Sequence, residues 1–498
     1  MTAWSGSTTS TSLPSGGRRR LLSGAGGAAL ALAGLFPTAA WADTYTVNSE
    51  AELIAAINAA NANADPSATI TLGSSFTITG TLPTTNKPVV LDTNGNTLTS
   101  TAAFSASGTG LQIDTLSGVT PGQVVSSGSV RGGDALPGAA GGLGASVTRA
   151  TVVNNGTITG GTSNNYTGTL INPAAGVTLV TATLVNNGTI QGGDAQGGRA
   201  GIGVFSNNLS GNTTSITNTS TGIIRGGSDL TGVGTGDVGI MVHGTNNATI
   251  TNSGLIEGGN GAAAIAIDLP ASNLRIINSG IIRAGAGGTV AIDLSIAPLS
   301  YLELRAGSSI TGLVIANAAQ PFAQRLVLGG DVDYNFDLST MGATAQFRNF
   351  DRITKDGAST WTLTGSAAGA PGLLNIIQGT IVFDSNVAGG QLFNLIANNG
   401  TLDLQQDSAV TLGVISGTGS LIQNGSGVTT LVNNSYSGGT TINAGTLSIG
   451  SDAGLGNAAG ALTINGGTLQ WTGVTASIAR TVNRTAASTF DIPSGIVT

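Results

Sequence analysis

The sequence predicts an all-β chain, a right-handed parallel β-helix with a short helical cap at its N-terminal end, and three observations predict it. The tract Asn-x-Gly-x-Ile-x-Gly-Gly recurs as Asn154 to Gly161, Asn186 to Gly193 and Asn252 to Gly259, with Asn278 to Gly285 a near copy. Its central apolar residues, Val130, Ile158, Ile190, Ile224, Ile256 and Ile282, fall 26 to 34 residues apart, the mark of a repeat with loops of unequal length. Inside a repeat the apolar residues alternate with period two, so the units are strands rather than helices. Composition agrees: 79 glycines, 8% charged and 4% aromatic residues in 498 suit a narrow aliphatic core turned by many corners, not a set of globular domains.

The elements follow in order. Arg18, Arg19 and Arg20 precede an apolar run from Leu21 to Phe36 that ends in Ala40-Trp41-Ala42. That is the plan of a signal peptide over 1–42, cleaved between Ala42 and Asp43. The general secretory route is the reading, and the adjacent arginines are also compatible with a twin-arginine route. Residues 43–100 then supply a cap and the first coils. Asp43 to Val47 predicts an edge strand, and Ser49 with Glu52 forms a capping box. Leu53, Ile54 and Ile57 place an apolar stripe on the helix that follows, which would cover an open end coil.

Residues 101–330 carry the tract repeats. Ala248 to Asn252, Leu255 to Glu257 and Ala264 to Leu269 make three short strands per period, one coil of a β-helix. Glycines at the corners are expected to supply positive φ. The repeated Asn154, Asn186, Asn252 and Asn278 are expected to stack in a ladder, since identical residues at identical turns reward stacking. A sugar- or Ca²⁺-binding role is the competing reading. The Gly-rich inserts lack the strict iteration and regular Asp of Ca²⁺-binding nonapeptides.

Residues 331–498 change dialect. The stretch from Tyr436 to Gln470, YSGGTTINAGTLSIGSDAGLGNAAGALTINGGTLQ, resembles the passenger-associated β-strand repeat of autotransporters, the type V secreted proteins of Gram-negative bacteria. ITKDGASTWTLTG and SGTGSLIQNGSGVTTL resemble it less completely. The resemblance covers about 350–470 well and the earlier repeats more loosely. It implies an extended β-helix displayed at the cell surface or outer membrane, with an outer-membrane β-barrel translocator as partner. Because family members end in such a barrel and this sequence stops at Thr498, truncation ahead of a barrel is the expectation. At 25–30 residues per coil, the exported part would make roughly 15–18 coils and about 75–90 Å of rod.

Chemistry is sparse. With no cysteine and one histidine, His243, neither a zinc site nor a cysteine nucleophile is expected, and His243 reads as an exposed loop residue. Asp331, Asp333 and Asp337 form the densest carboxylate cluster; Asp331 and Asp333 are expected to share one face of a strand. Asp268 and Asp293 are expected at matching places after the third strand. Two lysines, Lys87 and Lys355, and a net charge of −7 leave no basic face for nucleic acid. No catalytic, cofactor or metal residue is assigned. The reading is an adhesin or cell–cell association module that meets surface glycans, host proteins or copies of itself; a polysaccharide-degrading β-helix enzyme and a passive spacer are the alternatives.

Overall fold

The computed structural model describes residues 43–492, apart from 81, 84, 101–110, 115–121, 169–173, 209–212, 233, 235, 245–246, 270–273, 321–322, 388–389 and 475. The signal segment through Ala42 and the final residues 493–498 lie outside the described residues. The chain is a right-handed parallel β-helix. One long sheet of 19 strands runs its whole length, and every strand in it pairs in parallel with the strand one coil away. At about 4.8 Å per rung, 19 rungs make a rod of roughly 90 Å.

The other walls divide the rod in two. Up to the strands Ser309–Thr311 and Phe347–Arg348, each full coil adds one strand to each of two further nine-stranded sheets. From Tyr334–Asp337 onward an eight-stranded sheet is the single partner wall, and strands alternate between it and the long sheet. Two-walled coils are shorter: Val428 lies opposite Thr446, and Thr446 opposite Thr468. A uniform coil of 25–30 residues therefore undercounts the rungs, because dropping one wall removes a strand and a corner from each coil.

The N-terminal end is closed by the helix Glu50–Ala62, the single α-helix among the described residues. The Ser49 side chain accepts the Glu52 N–H (3.3 Å), while Glu52 reaches back to the Asn48 N–H (2.8 Å), one residue earlier than a regular capping box. Leu53, Ala56, Ile57 and Ala60 are buried, and Ile54 packs at the margin of the core. Lys87 fixes the far end of the helix by donating to the carbonyl oxygens of Asn63 (2.9 Å) and Asp65 (2.8 Å). The first strand, Asp43–Val47, pairs with Ala68–Leu72.

Core residues sit in columns. Ile158, Ile190, Ile224, Ile256 and Ile282 are each 0% exposed, and each is the register partner of the next along one wall. Beside them runs a column of five buried asparagines, Asn154, Asn186, Asn218, Asn252 and Asn278. Each of the first four donates its amide N–H to the side-chain oxygen of the next at 2.8 Å. Asn218 shows the full arrangement: its amide also donates to the backbone oxygens of Gly222 (3.1 Å) and Leu255 (3.1 Å). The column thus satisfies corner carbonyls that the ladder of strands leaves over. It ends where Asn278 donates to the Ser308 hydroxyl (2.7 Å).

The tract glycines are present for a different reason from the expected one. None of Gly156, Gly161, Gly188, Gly193, Gly227, Gly254, Gly259, Gly280 or Gly285 has positive φ. They are glycines because the previous coil occupies the place of a Cβ. A Cβ on Gly161 would lie 1.8 Å from the Gly133 oxygen, and one on Gly193 1.8 Å from the Gly161 oxygen. The same close approach continues through Gly227, Gly259 and Gly285. Positive φ is confined to other corners, as at Gly357 (80°), Gly379 (75°) and Gly417 (102°) of the two-walled part.

Candidate functional site

The outer face of the long sheet changes character where three walls become two. On earlier rungs one outward column reads Thr183, Ser215 and Thr249. On the next four rungs, in unbroken register, it reads Arg275, Tyr301, Arg325 and Arg352. The neighbouring outward position on the Tyr301 strand is Glu303, which is only 4% exposed.

A buried carboxylate is tolerated only when paired and hydrogen-bonded. Glu303 is paired twice. It accepts from the Arg275 guanidinium (2.8 Å), from Nε of Arg305 (2.6 Å) and from the Tyr301 hydroxyl (3.1 Å). Arg275 also lies flat over the Tyr301 ring, 4.2 Å from its centre. Burial, reinforced by the Glu303 carboxylate, pushes the Tyr301 phenol up to about 12, so its hydroxyl remains a donor. This stabilisation is complete below the ordinary phenol value of about 10 and is lost as pH rises towards 12. Tyr436, also buried, is held up to about 12. In an absorbance titration Tyr301→Phe should therefore remove part of the phenolate step near 12 and leave the part due to Tyr436. An unchanged step would place Tyr301 in a different environment.

The opposite side of the cleft is acidic. Asp331 makes no hydrogen bond among the described residues, and Asp356 accepts from the Gln378 side chain (3.0 Å). Lys355 lies beneath, 0% exposed, donating to the carbonyl oxygens of Asp356 (2.9 Å) and Gly357 (2.6 Å). Burial lowers its pKa, and the carboxylates of Asp356, Asp331 and Asp333 oppose that shift. Buried Trp361 holds Gly329 of the cleft lining by donating from Nε1 to its oxygen (3.2 Å). Between the two sides is a cleft of about 450 Å³.

Several expected placements are corrected here. Asp331 and Asp333 lie in the bend ahead of the strand Tyr334–Asp337 and share no strand face. Asp333 accepts the Thr360 N–H (2.7 Å), and Asp337 caps the 3-10 turn Leu338–Thr340 through the Ser339 N–H (2.9 Å). Of the three, Asp331 alone lines the cleft. His243 is not on an exposed loop: it lies in the strand Ile240–Gly244, is 8% exposed, and holds Asp268 at 2.8 Å through Nδ1. Its ring packs 5.5 Å from that of Phe205. Asp293 lies opposite Ala266, not Asp268, and caps the Ser295 N–H (3.0 Å), so these two acids are not equivalent. Among the described residues no cluster of three His, Asp or Glu is arranged to hold a metal. Sequence reasoning passed over Arg275, Tyr301, Glu303 and Arg305. The available signal was a 26-residue register that brings Arg275 opposite Tyr301 on an outward column.

A long parallel β-helix with a change of coil along its length defines a class, the β-solenoids. The family model for the passenger-associated-transport-repeat matches residues 353–382 and 421–449, both within the two-walled coils. Over 110 residues, 20% of this chain, the sequence is 37% identical to the protein described as adhesin BmaC autotransporter, from Brucella suis biovar 1 (strain 1330). The match spans 3% of that protein's length. No solved structure matches. The two-walled coils therefore carry passenger-associated-transport repeats, and the chain is similar there to autotransporter passengers.

Proposed function

We propose that this chain is a surface-displayed autotransporter passenger, an adhesin or a cell–cell association module without enzymatic activity. The observation that carries the reading is the rod itself: 19 rungs in one long sheet, which set outward side chains at one regular spacing along its length. Repetition along a rigid axis favours many weak contacts acting together, and avidity then exceeds the affinity of any single contact by orders of magnitude. The related segment in a protein described as an adhesin supports the same reading. An outer-membrane β-barrel, on the same polypeptide or a separate one, is the proposed translocator. Surface glycans, host proteins and copies of this chain are the proposed classes of contact.

The test uses beads coated with the exported chain. Coated beads should adhere to epithelial cells or clump with one another, and the free chain added in excess should compete. Beads that neither adhere nor clump, together with release of reducing ends from a polysaccharide panel, would replace this reading with the enzymatic one.

A further inference from the structure

We infer that the cleft at the change from three walls to two binds a neutral glycan, gripping vicinal hydroxyls between Arg275 and Arg305 on one side and Asp331 and Asp356 on the other. The inference rests on the adhesin reading for its biological sense, but its argument is chemical.

Glu303 does not face the ligand as a free carboxylate. At 4% exposure it is consumed in holding Arg275, Arg305 and the Tyr301 hydroxyl. The two arginine side chains remain about half exposed, 46% and 43%, with one N–H of each held by Glu303. Arginine has donors and no acceptor, and an ionised aspartate has acceptors and no donor. A ligand that spans the cleft must therefore accept on one side and donate on the other. Adjacent sugar hydroxyls do both from one small group, and planar guanidinium and carboxylate forks meet them two atoms at a time. Gln378, bonded to Asp356, holds that carboxylate in place.

Two other ligand classes fit less well. An acidic polymer would place its charges against Asp331 and Asp356 while the arginines are already half neutralised by Glu303. An extended peptide normally adds to a free sheet edge or buries apolar anchors. Here the strands at the cleft are paired on both sides, as Ser300–Leu304 is with Leu274–Asn278 and Gln324–Leu328. Val332 and Ala306 are the apolar side chains of the lining, and the Tyr301 face is already covered by Arg275.

Affinity electrophoresis of the exported chain through gels containing yeast mannan, dextran or galactan, with polygalacturonate as the acidic arm, tests the inference. At least one neutral polymer should retard the chain, and polygalacturonate should retard it less. Asp331→Asn and Arg305→Gln should each weaken that retardation about tenfold, and Asp331→Asn should keep a melting temperature close to that of the unsubstituted chain. Asp331 is exposed, so its substitution leaves the fold intact and keeps the test decisive. No retardation by any neutral polymer, retardation that ignores both substitutions, or tighter binding of polygalacturonate would each overturn the inference. Lost mannan binding with bead adhesion intact would place the adhesive contact elsewhere on the rod; lost adhesion with mannan binding intact would overturn the adhesin reading alone.

Discussion

Gly193→Ala should break the rod at one rung. The added Cβ would lie 1.8 Å from the Gly161 carbonyl oxygen and 2.9 Å from the Ala174 Cβ. Neither can swing aside, because one is backbone and the other is a methyl held at 1% exposure. The rungs must separate by more than an ångström, which strains the bond the Gly193 N–H donates to the Ala174 oxygen (2.8 Å) and the one its oxygen accepts from the Gly201 N–H (2.7 Å). Overpacking of this kind costs about 1–3 kcal/mol, and more when the clash is with backbone. A solenoid is stabilised by nearest-neighbour contacts, so a lesion at one interface uncouples the two sides. Limited proteolysis should cut near residue 193 and leave two resistant fragments. Gly450→Ala is the control: it meets nothing within 4 Å and has ordinary φ, so it should shift stability by no more than about 0.5 kcal/mol. Equal resistance of both variants would remove close stacking as the reason for the glycines.

The second large effect is expected for Asn218→Asp, in the middle of the asparagine column. The change is isosteric, but it replaces an amide that donates to Asn252 (2.8 Å), Gly222 (3.1 Å) and Leu255 (3.1 Å) with a carboxylate facing three acceptors. Asn218 is 0% exposed, so the charge has no water to turn to. An unpaired buried charge of this kind costs about 3–5 kcal/mol. The pH dependence follows in sign. Burial among acceptors raises the introduced carboxyl above its unfolded value of about 3.9. The loss of stability is therefore full above the raised folded value, and it shrinks as pH falls towards the unfolded one, where both states carry the proton. Hydrogen exchange at the rungs on either side of residue 218 should report faster opening at pH 7 than at pH 4, relative to the unsubstituted chain. A pH-independent difference would show that the lost amide, and not the added charge, dominates.

The sequence by itself determined the repeat, the strands and the helical cap, and it carried the resemblance to autotransporter passengers. Those rest on short-range rules: period-two burial around Ile158 and Ile256, a cap residue such as Ser49, and tracts such as Tyr436 to Gln470 whose pattern survives without knowledge of the neighbours. The tertiary structure decided everything that depends on what lies one coil away. It turned the tract glycines from corner residues into contact residues, since only the position of the Gly161 oxygen reveals why Gly193 lacks a side chain. It brought Asn218, which lies outside the four Asn-x-Gly tracts, into the same column as Asn186 and Asn252. It also buried His243 against Asp268, 25 residues away, and drew Arg275 to Glu303, 28 away. Spacing in the sequence cannot give these pairings, because loops of unequal length shift the period. Parallel hydrogen bonding between rungs restores an exact register, and that register selects the partner of each outward side chain.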